Sequence, residues 1–332
     1  MHLRRLFFTL LLLTAASRAC ADNPFGVTLW PGSGQDMTMM AARAGALEVA
    51  FYAPPPVYVD RFKPEPNCAP CKAPSRAGMA IVLTVRNTGR DSAPRRPSAP
   101  PEDFDAYGRS VATILDQWHP AIMVVEEEEN RLYRFAGTAV DYRKELETAC
   151  KVAHSHGALC TNGGLSFESV TAVTWLALLH DNKPDQACSF SKRALYERGA
   201  GLCAYRRQQD VPPDLRERLL QGADALLPIY KDSPVDAVNF RWNGQDASAL
   251  AQTIDAIGKI THKPVMSSEM SLRRSESDPI HVRPLMRAAM AGGMKVAIWN
   301  SIDGEDSTAL FDEAGRLTPA GQEFAHQMSG RK

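Results

Sequence analysis

Eight short apolar runs separated by segments of helical periodicity restrict this fold more than any other feature of the chain. The runs lie at residues 25–30, 47–53, 80–85, 121–125, 158–161, 237–242, 264–267 and 296–299. They are near-continuously apolar rather than alternating, as strands covered on both faces are. Between them fall stripes at 3.6-type spacing: Phe104, Tyr107, Val111, Ile114 and Trp118; Tyr142, Leu146, Ala149 and Ala153; Leu250, Ile254, Ile257 and Ile260. Pro101-Glu102-Asp103 places acids at the start of the first stripe, where the helix dipole favours them. Eight alternations of strand and helix predict an α/β fold, a (β/α)8 TIM barrel. Some 80 residues separate the fifth and sixth runs, so 168–234 must hold extra helices as an enlarged β5–β6 insertion. Residues 54–76 and 88–101 read as Pro-rich loops. No repeat or long linker divides the chain, which predicts one domain over 22–332.

The first 21 residues are expected to lie outside that domain. Arg4 and Arg5 precede an apolar run too short to span a bilayer, and Ala19-Cys20-Ala21 fits a small-x-small cleavage site. Residues 1–21 therefore read as a signal peptide, and the protein as exported, periplasmic or secreted, with no stable membrane insertion. Its 38 basic and 38 acidic residues cancel, which argues against nucleic acid as a partner. Six cysteines remain after cleavage, and six permit 15 pairings. Neighbours in sequence are the expected pairs: 68–71, 150–160 and 188–203. Cys68-Ala69-Pro70-Cys71 in a Pro-rich loop reads as a tight disulfide rather than a redox site, which would open a helix. His154-Ser155-His156 reads as a helix end before Gly157, and Gly32-Ser33-Gly34-Gln35 as the first strand-to-helix loop, with Gln35 or Asp36 near a ligand. No metal or cofactor motif is present.

Barrel active sites lie at the carboxyl ends of the strands. There the fourth run meets four glutamates, Glu126 to Glu129, and the seventh leads to Glu269. On a continuing strand, Glu126 and Glu128 would share one face and Glu127 and Glu129 the other. The ends of strands 4 and 7 face one another across the mouth. Two carboxyls so placed suit glycoside chemistry, one donating a proton and the other attacking the anomeric carbon.

The stretches Val124-Val125-Glu126-Glu127-Glu128-Glu129-Asn130, Thr161-Asn162-Gly163-Gly164-Leu165, Lys263-Pro264-Val265-Met266-Ser267-Ser268-Glu269 and Val296-Ala297-Ile298-Trp299 resemble the (β/α)8 glycoside hydrolase clan that uses glutamates on strands 4 and 7, in particular its secreted bacterial xylosidase- and cellulase-like members. The resemblance implies a retaining glycoside hydrolase of oligo- or polysaccharides, without a cofactor. Glu128 would be the acid/base and Glu269 the nucleophile. Glu127, Asn162, Arg241, Trp242 and Trp299 would bind substrate, Trp299 as the floor of the sugar site. The chain departs from the clan pattern at Glu127, where an asparagine is usual, and at Ala50, which stands where strand 2 usually brings an arginine. Arg241, in Asn239-Phe240-Arg241-Trp242-Asn243, is expected to reach Glu269 in that arginine's stead. The alternative is a carbohydrate-binding barrel that has lost hydrolysis.

Overall fold

A computed structural model describes residues 23–29, 37–88, 97–195, 197–273, 278–300, 302 and 308–330. Residues 1–21, expected to be a signal peptide, and Gln35 and Asp36 lie outside the described residues. Eight parallel strands form the barrel: β1 (Phe25–Thr28), β2 (Phe51–Ala53), β3 (Ala80–Arg86), β4 (Ile122–Val125), β5 (Leu159–Asn162), β6 (Val238–Trp242), β7 (Val265–Met270) and β8 (Ala297–Trp299). They are hydrogen-bonded in the order β5-β4-β3-β2-β1-β8-β7-β6. The ring closes between β5 and β6 through two isolated parallel bridges, Thr161 to Ala237 and Leu165 to Phe240. A two-residue strand, Val57–Tyr58, adds to β3.

Each strand divides its side chains between two cores, which is why the runs look continuous in sequence. Ile122 and Val124 point into the barrel, with Val82, Ala237, Met266, Val296 and Ile298. Met123 and Val125 point out to the helices, with Val238, Phe240, Trp242, Ala297 and Trp299. The helices follow the expected stripes. Phe104–Trp118 buries Tyr107, Val111, Ile114 and Trp118, and its N-cap Asp103 accepts from the amides of Asp105 and Ala106. His156 caps Ala139–Ser155, and Gly157 turns away at φ 76°.

Two boundaries differ from expectation. The second run contributes only Phe51–Ala53, because Glu48 takes a left-handed turn (φ 56°) after the helix Met37–Ala46. Ala50 thus precedes β2, its carbonyl accepting from the Ala80 amide, and lies at the end of the barrel away from the mouth. The CxxC stretch is not in a loop: Ala69–Arg76 is a helix, and Cys68 precedes its first residue. Its two prolines misled the reading. Pro70 sits in the first turn, where an amide is not needed, and Pro74 lies in a helix of only two turns.

All three expected disulfides are present: Cys68–Cys71, Cys150–Cys160 and Cys188–Cys203. The last staples the insertion, whose helices are Phe167–His180, Pro184–Ala194, Glu197–Ala200, Pro213–Leu220 and Ala223–Asp232. It closes a loop of sequence separation 15, a size for which cross-linking stabilises by about 3 kcal/mol. Replacing both cysteines with serine is expected to lower stability by about that amount. Hydrogen exchange should show the insertion losing protection before the barrel does.

Candidate active site

The glutamate run begins where β4 stops. Val125 is the last strand residue, its carbonyl accepting from the Tyr142 hydroxyl at 2.9 Å. Glu126 (φ 69°) and Glu128 (φ 46°) then adopt left-handed conformations. Such positions cost about 1–3 kcal/mol each in non-glycine residues and concentrate at functional sites. The two-face alternation expected of a continuing strand is therefore overturned, and the four carboxyls go to four different environments. Gly163 leaves room for this bend: a Cβ there would stand 2.6 Å from the Glu126 carbonyl carbon and from Glu129 Oε2.

Glu126 is fully buried and turns back toward β3. It accepts from the Asn87 amide at 2.8 Å and from Ser98 Oγ, and lies 3.6 Å from Arg86 Nε. Burial pushes its carboxyl up to about 7 despite Arg86. Glu127 is held by two arginine forks, Arg86 Nη1 to Oε2 at 2.5 Å and Arg241 Nη2 to Oε1 at 2.5 Å, with Arg134 Nη1 at 3.5 Å. Burial opposes its ionisation, but Arg241 and then Arg86 outweigh burial and hold its carboxyl below the usual range. Glu128 meets Arg134 Nε at 3.1 Å, Arg131 Nε at 3.5 Å and Arg241 Nη1 at 3.9 Å. Glu129 accepts from Asn162 Nδ2 at 2.8 Å and from the Tyr230 hydroxyl of the insertion, and burial raises its carboxyl.

Glu269 reaches the same cluster from β7. Register shifts in β7 between Ser267 and Met270, and in the β6–β7 ladder between Asn239 and Arg241, set Arg241 beside Glu269. Bulges of this kind re-aim side chains next to active sites. Here Arg241 Nη1 contacts Glu269 Oε2 at 2.8 Å, as the sequence led us to expect. The Glu269 side chain is 23% exposed, against 10% for Glu128 and 11% for Glu127. One Arg241 nitrogen faces both Glu269 Oε2 and Glu128 Oε2, so these oxygens are no farther apart than those two contacts laid end to end. That limit, set on one oxygen of each carboxyl, admits the roughly 5–5.5 Å carboxyl separation of retaining glycosidases. Arg241 is buried, which disfavours its charge, but Glu269, Glu127 and Glu128 more than compensate and its pKa rises.

Three expected substrate contacts go elsewhere. Trp242 and Trp299 have the outward parity of their strands. Trp242 is fully buried, packs edge-on against Phe167 and donates to the Gly244 carbonyl at 2.9 Å. Trp299 is 2% exposed, packs against Phe324 and donates to the Thr308 carbonyl at 2.9 Å. Neither presents a face to a ligand. Asn162 is fully buried and stitches the β5–β6 seam. Its Oδ1 accepts from the Asn239 amide at 2.7 Å, and its Nδ2 donates to the Asn239 carbonyl at 3.0 Å and to Glu129.

The arginines the sequence reading overlooked are Arg86, Arg131 and Arg134. Arg86 was the most legible, being the residue that follows the third run directly at the mouth end of β3. Arg131 and Arg134 flank the exposed Tyr133 ring, with guanidinium carbons 5.4 Å and 5.7 Å from its centre. Tyr230 comes from the insertion, and no sequence signal ties it to Glu129. Among the described residues, no group of three or more His, Cys, Asp or Glu side chains is placed to hold a metal ion.

No family model matches the chain, and no curated protein does. Solved structures match its fold. An endo-beta-1,3-glucanase of glycoside hydrolase family 128 (subgroup II) from Sorangium cellulosum superposes with TM-score 0.55 at 14% identity, over 91% of this chain and 97% of that one. Native xylanase 10B from Thermotoga maritima gives 0.59 at 10% identity, over 96% and 98%. A family 39 glycoside hydrolase from Bacteroides cellulosilyticus WH2 gives 0.63 at 10% identity, over 94% of this chain and 64% of that one. At these identities the shared property is the barrel itself.

Proposed function

We propose that the chain is an exported retaining glycoside hydrolase of β-linked oligo- or polysaccharides. The observation that carries this reading is the bridge made by Arg241 between Glu269 on β7 and the β4 carboxylates, at the carboxyl ends of the strands. Glu269, the most accessible carboxyl of the cluster, attacks the anomeric carbon, and Arg241 supplies its counter-charge. Glu128 delivers the proton to the departing oxygen and then takes one from water. Glu127 stands where the clan uses asparagine. It is ionised and can only accept, so it suits a sugar hydroxyl as donor. Kinship of fold with enzymes acting on beta-1,3-glucan, xylan and mannan supports the substrate class. Three disulfides support export.

A second reading, carbohydrate binding without hydrolysis, is favoured by one observation. Glu128 is engaged by three arginines rather than left open to a departing oxygen. Glu128→Ala separates the two. If Glu128 is the acid, kcat/KM for an unactivated oligosaccharide falls by about 10²–10³-fold. A dinitrophenyl glycoside, whose leaving group needs no proton, loses much less in its first step. Equal losses on both substrates would remove Glu128 from the acid role. No turnover by the unaltered protein on either, with glycan binding still measurable, would establish the second reading.

A further inference from the structure

Behind the mouth lies a carboxyl pair that the proposed reaction does not use. Glu126 and Glu145, the latter from the helix Ala139–Ser155, are both fully buried. Asn87 spans them, its backbone amide donating to Glu126 Oε1 and its Nδ2 to Glu145 Oε1, each at 2.8 Å. Ser98 Oγ donates to the other Glu126 oxygen. Glu145 faces Glu126 and Tyr107, and its Oε2 makes no hydrogen bond of good geometry. Four elements bring groups to the pair: Arg86 from the end of β3, Tyr107 from the helix Phe104–Trp118, Tyr142 from the helix that carries Glu145, and Glu127 from the run that carries Glu126. Burial and the pair's own charge keep both tyrosines neutral. Among the described residues Arg86 is thus the cation within reach, and it is shared: its Nε faces Glu126 while its Nη1 holds Glu127.

Two adjacent buried carboxylates that share part of one cation cannot both ionise at low cost. We propose that Glu126 and Glu145 are positioning residues that hold one proton between them, and that this proton leaves Arg86 free to fix Glu127 and, through the bend at Glu126–Glu128, the carboxylates at the mouth. The inference rests on the proposed function for its consequence in catalysis, but not for the proton itself. Losing that proton places a second buried charge beside Arg86, draws the guanidinium from Glu127 and loosens the run.

The direction of the pH effect follows. The folded pair binds its proton more tightly than unfolded carboxyls do, which titrate near 4.3. Stability therefore falls as pH rises above that value and levels off once the pair's proton is gone. Activity should fall through the same upper region. Glu145→Gln leaves Glu126 as the pair's one carboxyl beside Arg86, so a second buried negative charge cannot form there at any pH.

The test combines three measurements on the intact protein and on Glu145→Gln, with Glu126→Gln as a second variant. The infrared carbonyl band of protonated carboxylic acids is followed from pH 5 to 9. Urea midpoints are taken over the same range, and so is the kcat/KM profile on an aryl glycoside. In the unaltered protein a protonated-carboxyl band should weaken as pH rises while the urea midpoint drops. In Glu145→Gln the stability slope should shrink and the alkaline limb of the profile move to higher pH. A merely structural role for Glu145 would lower stability equally at every pH and leave the limb in place, and that result would overturn the proposal. So would the absence of any protonated-carboxyl band that titrates within the measured range and is altered in Glu145→Gln. Absence of hydrolysis with the band and the stability slope as expected would refute the proposed function and leave the proton pair standing.

Discussion

Glu269→Ala is expected to lose on the order of 10⁴-fold in kcat/KM on an activated aryl β-glycoside. The protein should still fold, because Arg241 keeps its shorter contact to Glu127 when Glu269 is gone. Added azide should restore part of the turnover. The anion fits the space vacated by the carboxylate and attacks from the same side, giving a glycosyl azide of configuration opposite to the substrate. A slow 2-fluoro glycoside should in turn leave a covalent sugar on Glu269 of the unaltered protein, detectable by peptide mass spectrometry. Labelling of another residue, or an alanine variant as active as its parent, would remove Glu269 from the nucleophile's role.

The second large effect is on stability as well as activity. Arg241→Met leaves Glu127 and Glu269 facing one another without their shared cation, in a site where the arginine side chain itself is only 11% exposed. Removing one partner of a buried ionic cluster costs about 3–5 kcal/mol; here Glu269 loses its arginine, and Glu127 keeps Arg86 and Arg134 but faces Glu269 unscreened. The urea midpoint should fall accordingly, and activity should be lost with it. Arg241→Lys should not recover activity. Arg241 uses Nη2 for Glu127 and Nη1 for Glu269, and a single ammonium cannot reproduce that fork. A drop of less than about 1 kcal/mol in Arg241→Met would show that solvent, not Arg241, balances these carboxylates.

Strand number, strand order and disulfide pairing were all readable from the chain, since they depend on local apolar runs and short cysteine spacings. Contacts made across the barrel were less so. Arg241 and Glu269 could be paired because each ends an apolar run, and the ends of neighbouring strands must meet. Trp242 and Trp299 were misplaced because their strand parity was not followed: Arg241 points inward, so Trp242 next to it points outward, and Ile298 fixes Trp299 in the same way. That error was avoidable. The fate of the glutamate run was not, because a strand rule was applied to residues in left-handed conformations, and nothing short of the surrounding packing imposes those. The role of Asn162 was equally hidden, since its partner Asn239 is brought close by the ring's closure.

That closure has a consequence of its own. Elsewhere neighbouring barrel strands pair in ladders, two of them with register shifts, but β5 and β6 meet through two isolated bridges and the Asn162–Asn239 amides. The barrel is in effect a curled sheet whose two borders are clasped by side chains. If the clasp opens, both borders present unpaired amides and carbonyls that other copies of the chain can join. The two asparagines therefore guard against self-association, and a substitution at either would be felt first as lost solubility in concentrated or heated protein, before any change at the mouth of the barrel.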